Sequence, residues 1–109
     1  MIYKELPKEG IPVTQASDIR SSEDIILDAD VVVIGSGTGG AIIAHELAVA
    51  GKRVIILEAG RYVPSSEFTE DMAWALENLY QDVGAQTNTI GDTVVMQGNC
   101  VGGSSVISA

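Results

Sequence analysis

A cluster of glycines is the feature of this sequence whose residue type and spacing point most directly to chemistry. Residues 35–40, called here the first glycine loop, fit the pattern G-x-G-x-x-G through Gly35, Gly37 and Gly40. The first glycine allows a sharp turn, the second a close approach of backbone to a pyrophosphate, and the third close helix–strand packing. Because the free N–H groups at a helix start favour an anion, the loop predicts a pyrophosphate site with Thr38 and Gly39 as amide donors.

An acidic residue follows the loop at the distance that this chemistry requires. Glu58 lies 21 positions after Gly37, at the end of a second apolar run. A carboxylate there can accept both hydroxyls of a ribose, whereas it would repel the 2′-phosphate of NADP. The loop and the acid therefore predict a site for FAD or NAD, and the pair Gly39-Gly40 with the ending Leu57-Glu58-Ala59-Gly60 favours FAD.

Two apolar runs and a helix between them must position these residues. Residues 31–34 and 54–57 are uniformly apolar, which predicts strands buried on both faces. Residues 41–50 predict a helix with a small-residue face, and Gly51 provides its stop. The predicted fold class is α/β: the N-terminal βαβ portion of a Rossmann-like FAD/NAD(P)-binding fold, with a right-handed crossover and incomplete in this chain.

Two further elements are predicted after Pro64. Residues 66–82 read as a helix that Ser65 or Ser66 can cap, with acidic residues near its positive end. Residues 93–97 read as a strand.

A second glycine-rich stretch follows that strand. Residues 98–105, called here the second glycine segment, read Gly98-Asn99-Cys100-Val101-Gly102-Gly103-Ser104-Ser105. The glycine pair lets backbone contact a flat ring or a phosphate, and the two serines add hydroxyl donors. On these residues alone, a tight turn between strands is the alternative interpretation.

The second glycine segment, placed downstream of the first glycine loop, resembles the first signature of the glucose–methanol–choline (GMC) oxidoreductases. The resemblance covers about residues 29–109. It implies an FAD enzyme that removes a hydride from an alcohol substrate, with Glu58 on the adenosine ribose. It also implies that the pyrophosphate contacts Gly35, Gly37, Thr38, Gly39 and Gly40, and that the pyrophosphate and flavin side is wrapped by Gly98, Asn99, Gly102, Gly103 and Ser104.

The sequence departs from the family pattern in three respects. Ser108 stands where the family has Asn or His, and no histidine follows the glycines, so non-covalent FAD is expected. The family's catalytic base is a histidine near its C-terminus. The single histidine here, His45, lies beside the first glycine loop without a partner for general-base work. We therefore expect no catalytic residue in this chain.

These expectations divide the chain into a leader, residues 1–29, and a partial FAD-binding domain, residues 30–109. The domain comprises an ADP-binding unit at 30–60, the helix at 66–82 and a flavin-contacting segment at 92–109. The missing strands, the substrate domain and the catalytic histidine are expected from a second polypeptide or a missing C-terminal part. An FAD-containing lyase, a non-redox nucleotide-binding subunit and an NAD-dependent dehydrogenase stay open as alternatives.

Composition narrows the class of partner. The 109 residues carry a net charge of −9, which argues against nucleic acid. One cysteine, Cys100, excludes an internal disulfide and a cysteine cluster for metal, and it is expected to pack rather than react. No apolar run approaches the roughly 20 residues of a membrane helix. Because no apolar signal core is present either, the cytoplasm is the expected compartment.

Overall fold

A βαβ unit forms the first half of the structure, a computed structural model that describes residues 12–19 and 24–108. Strand β1 (Val31–Ile34) leads through the first glycine loop into helix α1 (Thr38–Val49), which returns to strand β2 (Val54–Leu57). The two strands pair in parallel. The predicted α/β class is confirmed.

The two strands start and end at the same level. Each residue of β1 lies opposite the residue 23 positions later, so that Ile34 faces Leu57. At the opposite end, the Asp30 carboxylate accepts hydrogen bonds from the backbone N–H of Arg53 at 2.8 Å and from its guanidinium at 3.2 Å. The residues that follow β1 and β2 therefore emerge side by side at the carboxyl edge of the sheet.

Helix α1 begins earlier than the predicted residue 41 because Gly37 serves as its N-cap. Its last residue is Val49, and the predicted stop, Gly51, follows with a left-handed φ of +81° that glycine adopts at little cost. The N–H groups of Gly51 and Lys52 donate to the carbonyls of Ala48 and Leu47, both at 3.0 Å. The helix end is thus closed by local main-chain bonds.

Small residues allow α1 to lie close to the sheet. Ala44 is buried in this contact. A Cβ on Gly40 would overlap the carbonyl oxygen of Gly35 and lie 3.3 Å from Cγ1 of Val33. The position therefore requires glycine for packing, as the third glycine of the pattern predicts.

The other face of the β1–β2 sheet is largely exposed, although Ile55, which lies opposite Val32 on this face, is buried. Val32 and Ile34 are 54% and 87% exposed, and Leu57 is also exposed. The prediction that both faces are buried is therefore wrong for β1 among the described residues, whereas the start of β2, where Val54 and Ile55 are both buried, agrees with it.

Helix α2 (Met72–Leu79) is shorter than the predicted helix at 66–82. Its N-cap is Asp71, whose carboxylate accepts a hydrogen bond from the Ala73 N–H at 2.9 Å. Upstream, Ser65–Glu67 forms a separate 3₁₀ turn. The acidic residue, and not a serine, therefore sets where the helix starts.

The carboxyl end of α2 is followed by a 3₁₀ turn, Gln81–Gly84. Asp82 and Val83 have φ values of 50° and 56°, outside the helical region. The helical periodicity of the sequence continues through these residues, but their left-handed backbone cannot continue an α-helix.

A short hairpin follows, with strands β3 (Gln86–Thr87) and β4 (Val94–Val95) antiparallel. Its turn is organised by the Asn88 side chain, whose Oδ1 accepts from the N–H groups of Gly91, Asp92 and Thr93. The strand predicted at 93–97 is thus present but limited to two residues.

A second hydrophobic cluster joins α2 to the second glycine segment. Val63, Leu79 and Cys100 form its buried centre, and Cys100 is 1% exposed. The residues packed against this centre are Trp74, Ala75, Tyr80, Val106 and Ile107. Burial and the nearby negative charge of Glu58 raise the pKa of the Cys100 thiol, which therefore stays protonated and packs as a small apolar group.

In the described part of the leader, Gln15 forms two hydrogen bonds with the backbone of the domain. Nε2 of Gln15 donates to the Tyr62 carbonyl at 3.0 Å, and its Oε1 accepts from the Tyr62 N–H at 3.3 Å. Ala16–Asp18 forms a 3₁₀ turn beside it. The remainder of the predicted leader lies partly outside the described residues.

Candidate cofactor-binding site

The first glycine loop turns the chain from β1 into the start of α1. Gly35 has a φ of +89° and donates its N–H to the Leu57 carbonyl at 2.7 Å. The first N–H groups of an α-helix have no acceptor within the helix, which here applies to Thr38, Gly39 and Gly40. These donors, together with the helix dipole, form a place where an anion is favoured.

Two glycines of this loop are not required by the chain itself. A Cβ on Gly37 or Gly39 would meet no atom within 4 Å, and neither residue has a left-handed φ. Gly40 differs, because its Cβ would overlap the Gly35 carbonyl. The open space beside Gly37 and Gly39 lies at the helix start, so the residues present fit a pyrophosphate held against the main chain.

The Glu58 carboxylate lies directly beside this loop. Its Oε2 accepts from the Ser36 N–H at 2.8 Å and from the Ser36 hydroxyl at 2.7 Å, and its Oε1 accepts from the Gly60 N–H at 2.9 Å. An ionised carboxylate offers about four acceptor positions. About one position is therefore left for an outside donor such as a ribose hydroxyl, fewer than the two that the sequence reasoning assumed.

The hydrogen bonds also determine the charge of Glu58. Partial burial raises its pKa, but the bonds from the Gly60 N–H and from the hydroxyl and N–H of Ser36 lower it by more. The net pKa of Glu58 lies below its usual range, so the carboxylate is ionised at neutral pH. A carboxylate that stays ionised would repel a phosphate group placed beside it and would accept a hydrogen bond from a hydroxyl.

The second glycine segment lies against the first glycine loop. The Gly102 N–H donates to the Ser36 hydroxyl oxygen at 2.9 Å. A Cβ on Gly103 would lie 3.0 Å from the Cα of Gly37. Gly102 and Gly103 have φ values of 98° and 63°, so this approach and this backbone both require glycine. The chain turns here through the 3₁₀ turn Gly103–Ser105, and among the described residues no strand follows it, as a tight turn between strands would require.

The other residues predicted in this segment shape its backbone. The Gly98 N–H donates to the Ser104 hydroxyl oxygen at 3.0 Å, which leaves the hydroxyl proton of Ser104 free to donate. The Asn99 N–H donates to the Leu79 carbonyl at 2.7 Å. A Cβ on Gly60 would overlap the peptide that joins Asn99 to Cys100. The segment thus packs between Gly60 and the carboxyl end of α2.

The structure brings the predicted residues together at the carboxyl edge of the β1–β2 sheet. It also adds Ser36, which is 6% exposed and occupies the unspecified position x between Gly35 and Gly37 in the pattern. The sequence signal for it is a small hydroxyl residue within the first glycine loop, combined with an acidic residue at the end of the next strand. Such a hydroxyl can donate and accept at once.

Two other residues that the sequence singles out, His45 and Ser108, are exposed. His45 is exposed on α1, with its Nδ1 3.4 Å from Oε1 of Glu46. Ser108 is exposed and donates to the Ser105 carbonyl at 3.3 Å. Among residues 12–19 and 24–108, no group of three His, Cys, Asp or Glu side chains is placed to hold a metal. Within the same residues, no helix has the length and apolarity needed to cross a membrane.

Comparison with protein families gives one match over most of the chain. The model described as an FAD binding domain matches residues 30–96. These residues include the βαβ unit, the first glycine loop and Glu58, and the match ends just before the second glycine segment.

Curated relatives extend the similarity beyond that range. A long-chain-alcohol oxidase of Arabidopsis thaliana is 38% identical over 84 residues, which cover 77% of this chain and 11% of the relative. A second long-chain-alcohol oxidase of that plant is 34% identical over 98% of this chain and 15% of its own length. A GMC-type oxidoreductase of Sinorhizobium fredii is 39% identical over 81% of this chain and 18% of its own length. The chain thus spans less than a fifth of these relatives.

Proposed function

Because this chain belongs to the FAD-binding domain family and is similar to GMC-type oxidoreductases and long-chain-alcohol oxidases, we propose that it forms the adenosine-diphosphate half of a flavin site for alcohol oxidation. Its cofactor is FAD. The observation that carries the proposal is the junction of the first glycine loop, Glu58 and the second glycine segment at one sheet edge. This edge is where open α/β sheets bind their ligands, and the βαβ unit is proposed to be Rossmann-like.

Each part of the junction has a separate role toward the cofactor. The N–H groups of Thr38, Gly39 and Gly40 would hold the pyrophosphate, with the bare Gly37 letting it approach the backbone. Glu58 would accept from the adenosine ribose. The second glycine segment would lie along the pyrophosphate and flavin side through Gly98, Asn99, Gly102, Gly103 and Ser104. No covalent attachment is proposed.

The reaction is proposed to be removal of a hydride from an alcohol carbon. When bound, FAD supplies the hydride acceptor. Two relatives are named long-chain-alcohol oxidases, which supports an alcohol as the substrate class. The role of this chain in that reaction is to bind and orient the cofactor. The group that takes the hydroxyl proton is proposed to lie outside these 109 residues.

Anaerobic addition of a long-chain primary alcohol to the full protein is expected to bleach its flavin absorption at about 450 nm, because hydride transfer reduces the ring. The alkane of the same length lacks the hydroxyl and serves as the matched control, so it should leave the band unchanged. A band that persists with every primary alcohol and sterol tried would contradict the oxidation and favour a lyase or a non-redox subunit. A colourless protein that requires NAD would contradict the flavin site.

The exposed face of the β1–β2 sheet supports a second part of the proposal. Val32, Ile34 and Leu57 form an apolar surface that further strands and a helix of a larger FAD domain would bury. Both strands also leave edges that can pair. We propose that this face is covered by the rest of the domain, either on a second polypeptide or further along the same one.

Native purification followed by intact-mass analysis is expected to find this sequence together with a larger partner chain, or within one longer chain. The reason is that an apolar face of this kind is unfavourable in water when nothing covers it. A folded, monomeric species of 11.4 kDa that binds FAD unaided would contradict this part of the proposal and leave the cofactor assignment intact.

A further inference from the structure

The Ser36 hydroxyl is the point where the three parts of the site meet. It donates to Glu58 Oε2 at 2.7 Å and accepts from the Gly102 N–H at 2.9 Å. The main chain of the same residue donates to the same carboxylate oxygen at 2.8 Å. Ser36 therefore links the first glycine loop, the acid after β2 and the second glycine segment.

We propose that Ser36 is a positioning residue for the cofactor, one that holds Glu58 toward the ribose and holds the second glycine segment on the first glycine loop. The inference rests on the proposed FAD site and adds a residue to it. Ser36 is not proposed to touch FAD. It acts through the orientation of Glu58 and through the distance between the two glycine-rich elements.

The chemistry of a hydroxyl explains why a serine suits this position. One O–H proton and two lone pairs allow Ser36 to donate to the carboxylate and accept from an amide at once. Because the residue is 6% exposed, water does not readily replace either bond. Alanine would leave the Gly102 N–H without this acceptor and the carboxylate with one donor fewer. The carboxylate could then adopt other rotamers, and the two elements could separate.

The groups around Glu58 determine whether the pH dependence of FAD binding reports the ionisation of this carboxylate. The group that faces it from the second glycine segment is the Cys100 thiol, which is uncharged at neutral pH. Arg61, which follows Gly60, directs its guanidinium to Glu67 at 3.2 Å. Below neutral pH, protonation of Glu58 itself therefore dominates the response of this corner of the site.

The test is the affinity of the full protein for FAD, measured by flavin fluorescence quenching as a function of pH. Binding that needs the ionised carboxylate is complete above the pKa of Glu58 and is lost as the pH falls through it. Ser36→Ala removes a bond that lowers this pKa, so the loss of binding should begin at a higher pH than in wild type. At neutral pH the affinity should also fall about tenfold.

Three further variants separate positioning from folding. Ser36→Thr retains the hydroxyl and should recover most of the affinity and the wild-type pH midpoint. Ser36→Cys is close in size to serine but a weak donor, so its pH midpoint and FAD affinity should change in the same direction as in Ser36→Ala. It keeps the test possible if Ser36→Ala does not fold. Ser105→Ala removes the bond to the Gly102 carbonyl at 2.6 Å without touching Glu58, and its pH midpoint should stay at the wild-type value.

The outcomes distinguish this inference from the proposed function. If wild type fails to bind FAD, the proposed function fails. If wild type binds FAD but Ser36→Ala and Ser36→Cys keep the wild-type pH midpoint, the positioning role is overturned, whatever happens to the melting temperature.

Discussion

Gly37→Ala is expected to weaken FAD binding about 100-fold while the chain stays folded. The Cβ at this position would enter space that no chain atom within 4 Å occupies, so the fold itself gives no reason to require glycine. The new methyl group would instead occupy the volume proposed for the pyrophosphate. As N-cap of α1, alanine is less favourable than glycine, and the free energy of unfolding should fall by about 1 kcal/mol at most. Flavin fluorescence titration and thermal unfolding measure the two effects separately.

Gly40→Ala is the matched control in the same loop. Its Cβ would overlap the Gly35 carbonyl, so the backbone must move and the free energy of unfolding should fall by about 1–3 kcal/mol. The pair thus separates a glycine that a ligand requires from one that the fold requires. Equal affinities for FAD in Gly37→Ala and wild type would contradict the proposal that the pyrophosphate binds at this position.

Glu58→Gln is expected to have the second large effect, on stability and on binding together. Three donors converge on the carboxylate, two from Ser36 and one from Gly60. The amide of glutamine carries a donor in place of one acceptor oxygen, so at least one of these hydrogen bonds is lost. The free energy of unfolding should fall by about 2 kcal/mol, as measured by denaturant titration. FAD affinity should fall about 30-fold.

Glu67→Gln provides the comparison at an exposed position. Glu67 pairs with Arg61 at 3.2 Å on the surface, where both side chains are about half exposed. Such a pair contributes about 0–1 kcal/mol, and FAD binding should be unchanged. If Glu58→Gln proved as mild as Glu67→Gln in both measurements, Glu58 would have no special place in the site.

Local rules explain how much of the fold could be predicted. The β1–α1–β2 unit follows from consecutive residues: two apolar runs, the glycines that turn the chain and Gly51 that ends the helix. These signals act within a few positions, where backbone preference and hydrophobic pattern agree. The predicted glycine positions and Glu58 follow from the same rules, because strand ends fall next to each other in a parallel pair.

The sequence predicts the second half of the chain less accurately, because apolar periodicity does not determine where its helix begins and ends. The apolar spacing of residues 66–82 continues past both ends of α2. Capping by Asp71 and the left-handed backbone at Asp82 and Val83 limit the helix instead. The full burial expected for β1 and β2 was overestimated for a related reason. A pattern states that a face is apolar, but it does not state which element covers that face.

By itself, the sequence determined the α/β class, the βαβ unit and the residue types of a dinucleotide site, because each depends on neighbours along the chain. Only the tertiary structure decided that the second glycine segment packs on the first glycine loop and that Ser36 joins Gly102 to Glu58. Those bonds span 66 and 22 positions. Their formation depends on how α2 and the cluster around Cys100 place the later segment, and no local preference encodes that placement. The glycines thus predicted a ligand, and the fold showed which hydroxyl holds the two sides of its site together.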